Sequence, residues 1–166
     1  MRTPRRRATE AEANALASGI RLRIIRLTFS EALTNKELAE RLGRDPATTL
    51  HHVRKLVDTG FLAAQPPRRG ARGAKEIPYL STGLSWHLDA HHFRQLDEAM
   101  LEAYLAEISE TDFKDVNQTR VVVQISKDAR QEFEERLQEL LEEFKNRPVE
   151  PGAERTAIYF ATYPSP

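Results

Sequence analysis

The sequence predicts a mixed α+β protein, and three stretches carry that prediction. Residues 34–60 have the pattern of two short helices joined by a tight turn. Residues 61–80 have the pattern of two short strands around an arginine-rich loop. Beyond Trp86, one long amphipathic helix precedes a small β-α-β pattern. We therefore expect one domain over residues 1–86 and a second over residues 87–166.

The first helix of the pair has clear start and stop signals. Thr34 followed three residues later by Glu37 predicts a capping box, in which each side chain accepts the other residue's backbone amide. Gly43 provides a left-handed residue that ends the helix. Asp45 and Pro46 then start the second helix, since Asp is a good N-cap and proline at the first helical position loses no hydrogen bond.

The second helix separates into an apolar and a polar face at about 3.6 residues per turn. The apolar face holds Leu50, Val53, Leu56 and Val57. The polar face and its edges carry hydroxyls, imidazoles and cations but no carboxylate, which suits phosphate oxygens and base edges. The candidate DNA contacts are Thr48, Thr49, His51, His52, Arg54 and Lys55. An ordinary amphipathic helix pair with a solvated face is the alternative. Because both imidazoles titrate near neutrality, we expect protonation to strengthen phosphate contacts in mild acid.

The segment after this helix predicts a β-hairpin. Residues 61–64 and 76–80 read as strands, with prolines and glycines between them. The loop cations, which would meet the DNA backbone or minor groove, are Arg68, Arg69, Arg72 and Lys75. A charged loop alone is weak evidence. Directly after such a helix pair, it is typical of a winged helix-turn-helix.

Residues 15–86 resemble the ArsR-type winged helix-turn-helix transcription regulators, in an actinobacterial-like branch. The resemblance rests on ALASGIRLRIIRLTF, on LTNKELAERLGRDPATTLHHVRKLVDTGFL, and on the basic loop ending in IPYLSTG. It implies a dimeric DNA-binding repressor whose recognition helix, here residues 46–59, enters the major groove. Metal-sensing members carry paired cysteines near this helix, whereas this chain has no cysteine.

Charge is distributed unevenly along the chain, although the formal net charge is zero. Residues 1–80 contain 16 Lys or Arg and 8 Asp or Glu, while residues 81–166 contain 9 and 17. The basic half suits nucleic acid, and the acidic half should lie away from it. This asymmetry favours a domain boundary near residue 86.

A basic arm opens the chain and precedes a second capping box, formed by Thr9 and Glu12. Its cations are Arg2, Arg5, Arg6 and Arg7. The arm either reaches phosphates or a minor groove, or is a disordered solubilising tail.

Residues 20–29 then predict a core-facing helix. Its outward cations, which would solvate the helix or touch backbone phosphates, are Arg21, Arg23 and Arg26.

The C-terminal half predicts self-association. A helix over about residues 90–109 carries a wide apolar stripe of Phe93, Leu96, Met100, Leu101, Tyr104, Leu105 and Ile108. Residues 119–125 and 156–163 read as strands around a helix over residues 127–145, and two strands alone make a poor sheet. We expect a homodimer through residues 90–166, and an unknown small-molecule effector is left open.

Catalytic and cofactor patterns are missing from the sequence. There is no glycine-rich phosphate loop, nucleophile elbow or metalloprotease motif, so neither an enzyme nor a bound cofactor is expected. His87, Asp89, His91 and His92 form a polar cluster. It either binds a divalent ion or is a polar hinge, and the hinge is preferred because two imidazoles leave a tetrahedral site half filled. No metal site is therefore assigned.

Location follows from hydropathy and from the N-terminus. No apolar run approaches the ~20 residues that span a bilayer, and the basic start is not a secretory signal. We expect a cytoplasmic protein with no membrane contact.

Double-stranded DNA is the expected partner. The alternative is a winged-helix module that docks on a protein, and binding insensitive to salt and to DNA sequence would favour it.

Overall fold

The computed structural model describes residues 5–70, 73–89 and 93–165. The chain forms two compact units, one spanning Thr3–Asp115 and the other containing Val116–Pro166. The first unit therefore extends past the boundary that charge predicts near residue 86, because the long helix packs on an early helix of the basic half. The division into functional domains stays a prediction.

The first unit contains the expected helix pair, the hairpin and the long helix. Its elements are β1 (Arg6–Arg7), α1 (Glu10–Leu16), α2 (Gly19–Leu27), β2 (Leu33–Thr34), α3 (Asn35–Leu42), α4 (Pro46–Asp58), β3 (Leu62–Ala64), β4 (Arg68–Arg69), β5 (Lys75–Glu76), β6 (Pro78–Ser81), β7 (Leu88–Asp89) and α5 (Arg94–Ser109). Short 3-10 turns lie at Leu84–His87 and Phe113–Asp115. This is a winged helix-turn-helix followed by a long helix, as the sequence predicts.

Helix boundaries follow the local signals in the sequence. At α3, the Thr34 hydroxyl accepts the Glu37 amide, and the Glu37 carboxylate accepts the Thr34 amide at 2.8 Å. Gly43 ends α3 in the left-handed conformation, with φ of 59°. At α4, the Asp45 carboxylate accepts two first-turn amides, both at 2.9 Å. These contacts satisfy backbone groups that a helix terminus otherwise leaves unpaired.

The hairpin after α4 belongs to a three-stranded antiparallel sheet of order β2-β6-β3. Leu33 pairs with Tyr79 on one side of β6, and Ala63 pairs with Leu80 on the other. The same hairpin continues outward as the β4-β5 ladder, which lies inside the segment predicted to be loop except for Glu76, the first residue of the predicted second strand. Together β3 to β6 form the wing. Separately, β1 pairs with β7 in parallel.

The core of this unit lies between the helices and the inner sheet. Its most buried members include Ile24, Leu33, Leu38, Val53, Leu56 and Phe61. Helix α5 contributes Leu96, Ala99 and Ala103. The predicted apolar stripe of α5 is covered only in part, since Met100, Leu101 and Leu105 are exposed, as expected of a stripe too wide for one domain to cover. Helix α5 approaches α2 closely at Gly19, where an added Cβ would lie only 2.8 Å from the Glu102 carboxyl carbon.

The second unit is built on α6 (Lys127–Lys145), which Ser126 caps through the Ala129 amide. The helix is as predicted, but its two flanking strands are not formed, since residues 119–125 and 156–163 carry no strand in the described structure. A strand needs a ladder partner, and two strands without a third are marginally stable at best. Residue Phe160 instead lies against α6, with its ring 6.0 Å from that of Phe133.

Within the described ranges, the helices are all too short or too polar to cross a membrane.

Candidate nucleic-acid interface

Helix α4 is held by its apolar face and presents its polar face outward. Val53 and Leu56 are fully buried against the core. Thr48, His51 and Arg54 are exposed on the opposite side. The half-buried candidates at its edges are His52 and Lys55. The rigid core therefore fixes a surface of one hydroxyl, imidazoles and cations, and the exposed carboxylate of Asp58, seven residues after His51, lies on the same face at its C-terminal end.

Thr49 does not belong to this surface. Its side chain is 1% exposed, and its hydroxyl donates to the Asp45 carbonyl at 2.9 Å. It lies four residues before Val53 and seven before Leu56, which places all three on one helix face. A buried hydroxyl bonded to the preceding turn is satisfied within the helix. The expectation that Thr49 contacts DNA is corrected accordingly.

His52 is set back against α2. The Arg21 guanidinium lies 3.5 Å from its Nδ1 and also donates to the carbonyls of Ala15 and Asn14, at the end of α1. Burial lowers the pKa of His52 below its ordinary value, and the nearby charge of Arg21 lowers it further. His52 therefore takes up a proton less readily than an ordinary histidine as the pH falls, which opposes the expectation from the sequence.

The outer ladder of the wing carries the expected cations in two different settings. Arg69 and Lys75 are exposed and pair with each other across the ladder. Arg68 instead forms ion pairs with Glu37 and Glu76. Arg72 lies outside the described residues. The structure thus brings two of the wing cations together on one rung and places a third among carboxylates.

Two cations beside this surface, Lys36 and Arg44, were not predicted from the sequence. Lys36 lines an open cleft of about 320 Å³ between the start of α3 and the wing, together with the predicted contact Lys75. Arg44 is exposed in the turn before α4 and lies near enough to help lower the pKa of His52. Lys36 and Arg44 both lie within the predicted helix-turn-helix, and this position could have marked them as candidate DNA contacts from the sequence alone.

The described part of the N-terminal arm is docked on the unit. Arg6 donates to both Glu12 oxygens, and this pairing lowers the pKa of Glu12 to about 2. The Arg5 guanidinium lies 5.0 Å from the Trp86 ring centroid. Arg6 and Arg7 also pair with β7. Residues 5–7 are therefore not a free tail, while Arg2 lies outside the described residues.

Two of the three arginines of α2 pair with glutamates at the end of α5. Arg23 pairs with Glu110 and Arg26 with Glu107, each at 2.6 Å. The sequence suggested that these arginines solvate the helix or contact DNA phosphates. In the structure Arg23 and Arg26 form ion pairs within the protein instead. The acidic start of the C-terminal half thus contacts the basic half directly.

The predicted histidine cluster is only partly described. His87 is exposed in a 3-10 turn, and the Asp89 carbonyl accepts the Ala8 amide. His91 and His92 lie outside the described residues. Among residues 5–70, 73–89 and 93–165, no group of three or more His, Cys, Asp or Glu could hold a metal ion.

Residues 16–64 match a family model described as a helix-turn-helix domain. The match covers α2, α3, α4 and β3, which are the helices and first wing strand described above. A comparison with curated proteins finds no match. Residues 16–64 are thus a helix-turn-helix domain, and this supports a DNA-binding regulator.

Several solved structures are similar to the chain at low identity. Reduced HlyU from Vibrio cholerae is 19% identical over 57% of this chain and 84% of its own, with a TM-score of 0.36. A double mutant of ZitR from Lactococcus lactis, in apo form, is 17% identical over 77% and 83%, with a TM-score of 0.37. The adhesin competence repressor of Streptococcus pyogenes is 20% identical over 76% and 80%, with a TM-score of 0.36.

Proposed function

We propose that this chain is a sequence-specific, DNA-binding transcriptional repressor of the ArsR type. The observation that carries the proposal is the outer face of α4, where Thr48, His51 and Arg54 are exposed beside a basic wing. A helix of this kind fits the major groove, whose base edges offer acceptors and donors to hydroxyls and imidazoles. The wing then lies along the sugar-phosphate backbone or in the adjacent minor groove.

Base reading and backbone binding fall to different residues in this proposal. Thr48 and His51, in the first half of α4, are placed to read base edges. The backbone contacts are assigned to the cations Arg54, Lys55, Arg69 and Lys75. The predicted contact Arg72 keeps its assignment from the sequence alone.

The working form is proposed to be a two-fold dimer joined through residues 90–166. One recognition helix reads only a few base pairs, and symmetry doubles the site that is read. Two apolar surfaces support this assignment. On α5, Met100, Leu101 and Leu105 are 40%, 46% and 54% exposed. On α6, the exposed apolar residues include Phe133, Leu140 and Phe144. The operator should then be an inverted repeat with half-sites about one helical turn apart.

Selection of bound fragments from random DNA tests the proposal, followed by measurement of affinity against salt. We expect an inverted repeat to be enriched. If the dimer neutralises about six to ten phosphates, affinity should fall roughly 10³- to 10⁵-fold between about 50 and 200 mM salt. Binding that ignores both salt and DNA sequence would overturn the proposal and favour a winged-helix module that docks on a protein.

A further inference from the structure

The outer ladder of the wing has two unlike rungs. Arg68 pairs with Glu76, and the next rung pairs Arg69 with Lys75. Neighbouring residues of a strand point to opposite faces, so the two rungs lie on opposite faces of the ladder. One face of the wing therefore carries an opposite-charge pair and the other a like-charge pair.

The face that carries Arg68 is joined to the start of α3. Arg68 Nη2 donates to Glu37 Oε1 at 2.5 Å. The other oxygen of Glu37 accepts the amide and the hydroxyl of Thr34, at 2.8 and 2.9 Å. The amide of Thr34 and, to a lesser degree, Arg68 lower the pKa of Glu37. Glu37 is thus a fixed anion that caps a helix and holds the wing at once.

The second carboxylate at Arg68 is kept in place by the wing tip. Glu76 Oε2 lies 3.8 Å from Arg68 Nε. The Glu76 side chain also crosses Gly70 so closely that a Cβ added there would overlap its carboxyl group. Glycine at position 70 therefore leaves room for Glu76 beside the guanidinium. A phosphate approaching Arg68 would meet two carboxylates around one cation.

The other rung has the opposite character. Arg69 and Lys75 are both exposed, and like charges directly across a ladder destabilise it. In the part of the chain that the structure describes, no carboxylate is seen to pair with either residue. A bound phosphate would relieve their repulsion, whereas Arg68 is already neutralised.

We propose that Arg68 is a positioning residue: held by Glu37 and Glu76, it sets the wing against α3, while Arg69 and Lys75 bind the DNA backbone. The proposal rests on the DNA-binding function proposed above. It removes Arg68 from the phosphate contacts that the sequence predicts and gives the wing a structural face and a binding face.

The DNA test compares neighbouring residues by the salt dependence of operator binding in the full chain. Arg69→Ala and Lys75→Ala should each reduce the slope of log affinity against log salt by about 0.9 for every phosphate that the variant no longer neutralises. Arg68→Met should weaken binding about two- to fivefold without changing the slope. A slope reduced by Arg68→Met as much as by Arg69→Ala would overturn the proposal.

Glu37→Gln gives the sharpest contrast, because Gln can still cap α3 while the charge of the carboxylate is removed. If Arg68 positions the wing, Glu37→Gln should weaken operator binding, and adding Arg68→Met should cause little further loss. If Arg68 binds phosphate, removing the competing carboxylate should instead strengthen binding. Tighter binding by Glu37→Gln would therefore contradict the proposal.

A measurement without DNA separates this proposal from the function on which it rests. The chain has no cysteine, so spin labels can be placed through Glu40→Cys on α3 and Ala74→Cys at the wing tip. Pulsed distance measurements should give a broader distribution with Arg68→Met than with the control Arg69→Ala. An unchanged distribution with Arg68→Met would overturn the positioning role. Failure of every variant and the parent to bind DNA would overturn the proposed function and the binding role of Arg69 and Lys75, while the distance measurement would still decide the positioning role of Arg68.

Discussion

Two leucines on α5 should respond very differently to the same truncation. Leu96 is 7% exposed and packs in the core, whereas Leu105 is 54% exposed on the same helix. Leu96→Ala should lose nearly the whole free energy of burying the leucine side chain, which is about 1.5–3 kcal/mol. The cavity raises the expected loss of unfolding free energy to about 2–4 kcal/mol. Leu105→Ala should cost about 1 kcal/mol or less, since it leaves no closed cavity.

Urea unfolding at several protein concentrations measures both variants, because dimerisation makes apparent stability depend on concentration. Leu96→Ala should lower the midpoint at every concentration. Leu105→Ala should do so mainly where the parent is dimeric, and light scattering should show its weaker association. Equal losses for both variants at the lowest concentration would refute the orientation of α5 described above.

The same packing predicts the outcome of shortening the chain. Truncation after Trp86 removes α5, and with it Leu96 and the partners of Arg23 and Arg26. This fragment should be poorly folded, whereas truncation after Asp115 should keep the compact unit and the exposed face of α5, and should associate and bind DNA more weakly than the full chain. Circular dichroism and light scattering distinguish them. A well-folded fragment ending at Trp86 would show that α5 is dispensable.

Three further results follow from individual side chains. Pairing with Arg6 lowers the pKa of Glu12 from 4.5 to about 2, so its stabilisation is present above about pH 4.5 and lost towards pH 2. Arg6→Gln should therefore destabilise at neutral pH but not near pH 2; a difference constant with pH would contradict this. Thr48→Ala should cost about 1–3 kcal/mol of operator binding, and Thr49→Ala should instead lower stability, with the reverse pattern refuting the placement of α4. By NMR, the ring of His52 should titrate below its ordinary pKa, and a raised midpoint would exclude the burial described.

Local signals account for the parts of the fold that the sequence predicted well. The capping box of Thr34 and Glu37 joins residues three positions apart, and the α4 cap lies entirely within its first turn. Such contacts form between neighbours in the chain, so their residue types suffice to place helix ends. The hairpin was predictable for the same reason, because its paired strands follow each other directly.

Contacts distant in sequence account for what was missed. Arg23 and Glu110 are 87 residues apart, and Arg68 and Glu37 are 31 apart. Residue type alone marks each of these as a free surface charge. Likewise, two of the three buried residues of α5 are alanines, although larger apolar residues of the same helix are exposed. Apolar runs such as residues 119–125 predict strands only when partners exist to pair with them.

These distant ion pairs also determine which cations remain unpaired near the proposed DNA-binding surface. Arg23 and Arg26 are neutralised by α5, and Arg68 by Glu37 and Glu76. The cations left exposed on α4 and on the outer wing are not paired in this way in the described structure. These carboxylates thus reduce the positive charge of α2 and of one face of the wing. Under the proposed function, we expect a polyanion approaching from solution to be drawn to the exposed cations of α4 and the outer wing, because unneutralised cations steer association.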